Sequence, residues 1–151
     1  MKPTIYIGAD HAGFDMKKSI SEHLDAKGFS VEDLGAFNLN PDDDYPEFVE
    51  AVAEAVLEHP GSFGILSCGN AEGVTIAANK FDGIRAGLGF SIDAATTMRS
   101  DDNANIISVP GRIDIPDDPL KIIDAFISTP FSKAPRHLRR LSQVERIEQE
   151  N

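Results

Sequence analysis

The only cysteine of the chain, Cys68, stands in the segment Gly64-Ile65-Leu66-Ser67-Cys68-Gly69-Asn70-Ala71-Glu72-Gly73. The apolar run before it, Phe63 to Leu66, predicts a buried parallel strand, and the alanine-rich stretch from about Ala71 to Lys80 predicts a helix. Cys68 and Gly69 would then lie where strand gives way to helix. The first N–H groups of a helix have no partner inside it and attract negative charge, and a thiol beside them ionises more readily than a free one. Gly69 and Gly73 would let a ligand approach the main chain without meeting a Cβ. This segment offers a base or nucleophile next to an oxyanion-binding loop. The alternative is that Cys68 is a small buried apolar residue and the glycines only turn the chain.

Three further groups could do chemistry. Asp10-His11 follows a strand pattern, and Asp10 there is either a ligand-facing carboxylate or a helix cap. Arg136 and Arg140 are four apart on a predicted helix, a spacing that sets two guanidinium groups side by side to suit a phosphate, or that simply forms a solvated face. Lys133, Arg136, Arg139 and Arg140 fall within eight residues that contain no acid. Other chemistries fit less well. Gly8 to Gly13 lacks the glycine spacing of a dinucleotide fingerprint, and no Walker lysine motif is present. A cysteine phosphatase would need an arginine six residues after its thiolate, where this chain has Val74.

The elements that must position these residues alternate regularly. Strand patterns at 3–9, 29–34, 63–66, 84–88 and 105–109 are separated by helical patterns at 14–26, from Pro46 to His59, 71–80, 93–101 (with Ser91 as N-cap) and after Pro119. Expected core faces are Ile20 and Leu24 in the first helix; Phe48, Val49, Val52, Val56 and Leu57 in the second; and Leu120, Ile122, Ile123, Ala125 and Phe126 in the fifth. A last helix, about 136–148, carries Leu138, Leu141, Val144 and Ile147 at spacing three, to pack on the domain or on a partner. The βαβα alternation predicts one α/β domain over 1–151, a sandwich with a parallel sheet whose ligands gather at the strands' carboxyl ends.

Composition narrows the partners. A formal charge of −11, from 25 acids against 14 Lys and Arg, disfavours nucleic acid and anionic membranes over most of the surface. An anionic small substrate would need a local cationic pocket. No apolar stretch approaches the length of a membrane span, nothing suggests export, and a lone cysteine fits a reducing cytoplasm. No Cys/His cluster has zinc-site spacing, so neither metal nor other cofactor is expected.

Together these residues resemble the type B ribose-5-phosphate isomerases and the related galactose-6-phosphate isomerase subunits, over almost the whole chain. The resemblance rests on Gly8-Ala9-Asp10-His11-Ala12-Gly13, Asp44-Tyr45-Pro46, Gly64 to Gly69, Gly73 with Ile76-Ala77-Ala78-Asn79-Lys80, Gly83-Ile84-Arg85-Ala86, Asn103-Ala104-Asn105 and Arg136-His137. It implies a three-layer, Rossmann-like α/β/α sandwich with a five-stranded parallel sheet. It also implies a homodimer, or a tetramer built from dimers, with sites at the interface and metal-free aldose–ketose interconversion of sugar phosphates. By position, Cys68 resembles the base that moves a proton between C1 and C2, and the backbone from Gly69 to Gly73 the holder of the enediolate oxygens. The resemblance sets Asp10 against sugar hydroxyls; assigns phosphate to His11, Arg136 and Arg140; and adds Arg112, Tyr45, Ala71, Glu72, Asp102 and Asn103 to the substrate region.

Two departures matter. The family loop reads Cys-Gly-Thr-Gly or Cys-Gly-Ser-Gly, so Asn70 stands where a ring-opening hydroxyl is expected, and an amide is a poor proton shuttle. Ala71 replaces a glycine, and Glu72 is either a second acid/base or a solvent-facing acid at a helix N-terminus. Asp101, followed by Asp102, stands where the ring-opening histidine is expected. Ribose 5-phosphate to ribulose 5-phosphate is the leading reaction. The alternatives are a tetrose or hexose 6-phosphate, or a catalytically weak phosphosugar-binding subunit of a mixed oligomer; a nucleotide-binding module ranks below these.

Overall fold

The computed structural model describes all residues, Met1–Asn151. Five strands, β1 (Ile5–Ala9), β2 (Val31–Asp33), β3 (Phe63–Cys68), β4 (Ala86–Leu88) and β5 (Ile106–Pro110), form one sheet in the order β2-β1-β3-β5-β4. Every pairing is parallel. Six helices connect and flank them: α1 (Phe14–Ala26), α2 (Pro46–Glu58), α3 (Glu72–Ala78), α4 (Ile92–Ser100), α5 (Pro119–Ser128) and α6 (Pro135–Glu150).

Strand alternation divides the core in two. Ile5, Ile7, Ile65, Ile107 and Val109 meet Ile20 and Leu24 of α1, Ala95 and Met98 of α4, and Ile122, Ile123 and Phe126 of α5. Tyr6, Leu66, Cys68 and Ile106 point the other way, onto Val49, Val52, Ala53 and Val56 of α2 and Val74 and Ala78 of α3. The result is the expected α/β/α sandwich: a parallel sheet buried on both faces needs apolar residues at nearly every strand position, which β1, β3 and β5 supply.

Helix ends follow their sequence signals. Pro46 is in the first turn of α2, the Ser91 hydroxyl accepts from Ala94 N–H at 3.0 Å, and Asp118 caps α5 by accepting from Leu120 N–H at 3.0 Å. The structure corrects two expectations. The second and fourth strands are only three residues long, 31–33 and 86–88, because as the two edges of the sheet they pair on one side only. Leu57 is 40% exposed and Phe48 only half-buried, leaving Val49, Val52 and Val56 as the inward stripe of α2. In α6 only His137 is buried, and Val144 and Ile147, about half exposed, line a groove with Leu141, Ile84 and Met98.

Candidate active site

In this strand order the chain leaves β1 toward one edge and β3 toward the other. The crevice between their carboxyl ends is therefore the topological switch point. Asp10 and His11 follow β1, and Cys68 ends β3 beside them, since Ala9 pairs with Ser67 in register. β5 adds Gly111 and Arg112, whose backbone N–H groups donate to the carbonyls of Cys68 (2.9 Å) and Gly69 (3.0 Å).

Close packing holds these loops. A Cβ on Gly13 would lie 2.4 Å from the Ser67 carbonyl carbon and oxygen, and one on Gly73 would lie 2.5 Å from Tyr45 Cζ. Tyr45 therefore lies against the loop after β3. Cys68 is 4% exposed, with its Sγ 3.9 Å from Asn70 Oδ1. Asn70 Oδ1 also accepts from Glu72 N–H at 3.0 Å. That bond closes the turn and leaves the Asn70 NH₂ as the group free to donate. Ala71, buried, takes φ 65°, the left-handed conformation that costs an alanine about 1–2 kcal/mol. Glu72 opens α3 and is exposed, the arrangement of a solvent-facing acid.

Asp10 is a cap. Its Oδ1 accepts from Ala12 N–H (2.9 Å) and Gly13 N–H (3.1 Å), capping the 3-10 turn His11–Gly13, while the other oxygen makes no hydrogen bond. His11 meets a residue the sequence did not single out. Asp43 Oδ1 accepts from the His11 backbone N–H at 2.9 Å and lies 2.7 Å from His11 Nδ1. Within the acidic run Asp42-Asp43-Asp44 nothing local distinguishes the middle aspartate; only the fold, which brings it to a residue 32 positions away, does so. Donor atoms of Asp10, His11 and Asp43 lie within 4.8 Å of one another, close enough for a cation, yet several are already spent on each other.

The remaining candidates sit elsewhere. α4 runs back from the carboxyl end of β4, so Asp101, Asp102 and Asn103 emerge at the amino ends of the strands. There the Asp102 and Asn103 carbonyls accept from Arg85, just ahead of β4. Arg136 and Arg140, exposed on α6 and without an ion pair, begin at the same end: His137 Nε2 lies 3.9 Å from Asp101 Oδ1, and Ser132 N–H donates to Ser100 O. Arg99, buried against Phe63 and Phe126, donates to Asn103 Oδ1 and so fixes that loop. Burial first, then the charge of Arg85, lowers the Arg99 pKa. Within one chain, then, the residues named by the sequence form two groups at opposite ends of the sheet, not a single site. Six residues of β3 separate the ends, roughly 17 Å at strand rise.

A doubly wound parallel sheet with a cysteine, a capped aspartate and a histidine at its switch point defines an α/β domain of the class whose ligands bind at that crevice. The sequence pattern of the Ribose/Galactose Isomerase family matches residues 5–144, and the chain belongs to that family. It is 44% identical to the ribose-5-phosphate isomerase B of Mycolicibacterium paratuberculosis over 148 residues, covering 96% of this chain and 93% of the relative. Against the Mycobacterium tuberculosis protein of the same name, identity is 43% over 144 residues, covering 95% of this chain and 89% of that one. The Mycoplasma genitalium ribose-5-phosphate isomerase B crystal structure with bound ribulose-5-phosphate superposes with TM-score 0.93 at 40% identity, covering 100% of this chain and 99% of that one. The Thermotoga maritima enzyme gives TM-score 0.91 at 39% identity, covering 97% and 99%. No helix of the chain is long and apolar enough to cross a membrane.

Proposed function

We propose that the chain is a sugar-phosphate aldose–ketose isomerase interconverting ribose 5-phosphate and ribulose 5-phosphate through an enediolate. The observation that carries the reading is the position of Cys68 at the carboxyl end of β3, beside Asp10 and His11, in a fold shared with relatives of that name. The Cys68 thiolate takes the proton from C2 of the open-chain aldose, and the bonding pair moves to form the C1–C2 double bond. Negative charge then develops on the C1 oxygen, where backbone N–H groups of 69–73, other than that of Glu72 already bonded to Asn70, stabilise it. Return of the proton to C1, with transfer of a hydroxyl proton between O2 and O1, gives the ketose. His11 and the arginines bind phosphate remote from the reacting carbons, so that binding orients them.

Arg136, Arg140 and Asp101 belong to the same site when a second copy presents its amino end to this chain's carboxyl end. The exposed apolar side of α6, with Leu138, Val144 and Ile147, supports such a homodimer. The chain works as one domain, and its lone cysteine suits a reducing cytoplasm. A four-carbon phosphosugar is a second reading, favoured by Asn70: its amide oxygen is committed to the loop and it brings no hydroxyl to open a ring.

The test is proton exchange by NMR in heavy water with four-, five- and six-carbon phosphosugars, wild type against Cys68→Ala. Exchange at C1 or C2 with ribose 5-phosphate, lost in the variant, is the expected result. Faster exchange with a tetrulose phosphate would select the second reading. Equal exchange in both proteins would remove Cys68 as the base, and none with any substrate would make the chain a binding subunit.

A further inference from the structure

We infer that Asp43 is the positioning residue of this site, holding the His11 imidazole with its proton on Nδ1 and Nε2 turned to the ligand. The inference rests on the reading above that His11 meets the substrate phosphate. One carboxylate oxygen serves two donors of the same residue: Asp43 Oδ1 accepts from His11 N–H at 2.9 Å and from the ring at Nδ1 at 2.7 Å. Main chain and ring are fixed together, so the rotamer is set along with the loop. An ionised carboxylate only accepts, hence the ring nitrogen facing it carries the proton. Nε2, on the far side of the ring, is then the atom left for a ligand, and it donates to a phosphate oxygen when the ring is cationic.

The environment of Asp43 separates this role from simple loop anchoring. Its side chain is 5% exposed, and Oδ2 is buried with no hydrogen-bond partner. A buried, half-satisfied carboxylate is costly unless a cation compensates it, and a neutral acceptor would anchor the backbone N–H equally well. The half-buried His11 ring is the one side-chain donor at hand, and the Asp10 carboxylate lies within 4.8 Å of both. A dianionic ligand brought against Nε2 would complete a line of contacts from carboxylate through imidazole to phosphate.

The experiment uses the full chain and inorganic phosphate as probe. In the wild type with phosphate bound, ¹⁵N NMR of His11 shows a protonated Nδ1. Asp43→Ala loses that signature and weakens phosphate binding about tenfold or more, as expected for a charge-assisted hydrogen bond. His11→Ala weakens it comparably, and the double variant is no weaker than His11→Ala alone. Asp43→Asn keeps an acceptor without the charge, so Nδ1 stays protonated while binding weakens by an intermediate factor. Should Asp43→Ala fail to fold, Asp43→Asn decides. An unchanged His11 signature in Asp43→Ala, multiplicative losses in the double variant, or wild-type phosphate binding in Asp43→Asn overturns the inference. Turnover is not needed for these readouts: a wild type that binds phosphate with the stated signature but does not isomerise ribose 5-phosphate refutes the functional reading instead.

Discussion

Gly13→Ala adds one carbon, and the structure says where it goes. The new Cβ would stand 2.4 Å from the Ser67 carbonyl carbon and oxygen and 2.6 Å from Ser67 Oγ, against an ordinary contact of at least 3.4 Å. About 1 Å must therefore open between the turn after β1 and the end of β3. Ser67 cannot yield, because it pairs with Ala9 on one side and Val109 on the other, and its hydroxyl donates to the Val109 carbonyl at 2.7 Å. The turn His11–Gly13 must move instead, taking with it the two N–H groups that Asp10 caps. Backbone strain contributes nothing, since φ at Gly13 is −103°. Overpacking of this kind costs about 1–3 kcal/mol, or a fall in Tm of roughly 3–10 °C for a chain of this size. A displacement near 1 Å between His11 and Cys68 should lower kcat/KM by about 10²-fold. Thermal unfolding followed by circular dichroism, with isomerisation of ribose 5-phosphate followed in parallel, reads both quantities. A variant with wild-type Tm and wild-type kcat/KM would refute the steric argument. A lowered Tm with unchanged kcat/KM would refute the claim that the turn positions the site.

Two other substitutions discriminate in different ways. Gly69→Ala places its Cβ no closer than 3.6 Å to Ala12 and 3.9 Å to Arg112. Stability should stay within about 0.5 kcal/mol while KM for the sugar phosphate rises, and an unchanged KM would mean that no ligand approaches the main chain there. Asp124→Asn tests pH dependence. Burial raises the Asp124 pKa, but hydrogen bonds from Lys27 and His23 and their charges outweigh it, leaving the folded-state value below the ordinary 3.8. The carboxylate's contribution is therefore complete above the unfolded value and is lost as pH falls through the folded one. Denaturation of wild type and variant should differ by less than about 1 kcal/mol near neutrality. The gap should close as pH falls below the ordinary carboxylate range; a gap that persists in strong acid would contradict the assignment.

Much of this fold can be read from local signals. Pro46, Ser91 and Pro119 mark helix starts because their chemistry acts within one turn, and the spacing of Ile20 with Leu24 and of Ile122 with Phe126 follows from helix geometry. Two kinds of information are not local. Periodicity identifies an apolar side of α6 but not what covers it, so Leu138, Val144 and Ile147 look like core in sequence and are about half exposed in the chain. Likewise Asp43 is one of three consecutive aspartates until the fold sets it beside His11, and Asn103 becomes a bound residue only once Arg99 reaches it. The candidate site was half legible: Cys68, Asn70 and Gly73 lie within six residues, so local structure fixes their relation. The relation of Cys68 to Arg136 and Arg140 depends on strand order.

Under the proposed pairing, the placement of those arginines at the amino end of the sheet, with Cys68 at the carboxyl end, would make folding and competence separate events. A single chain buries Ile65, Ile107 and Phe126 completely while holding only half of the proposed phosphate clamp. Under the proposed pairing, specific activity would fall on dilution without any loss of helix content. The concentration of the protein would thereby act as a control on its own rate.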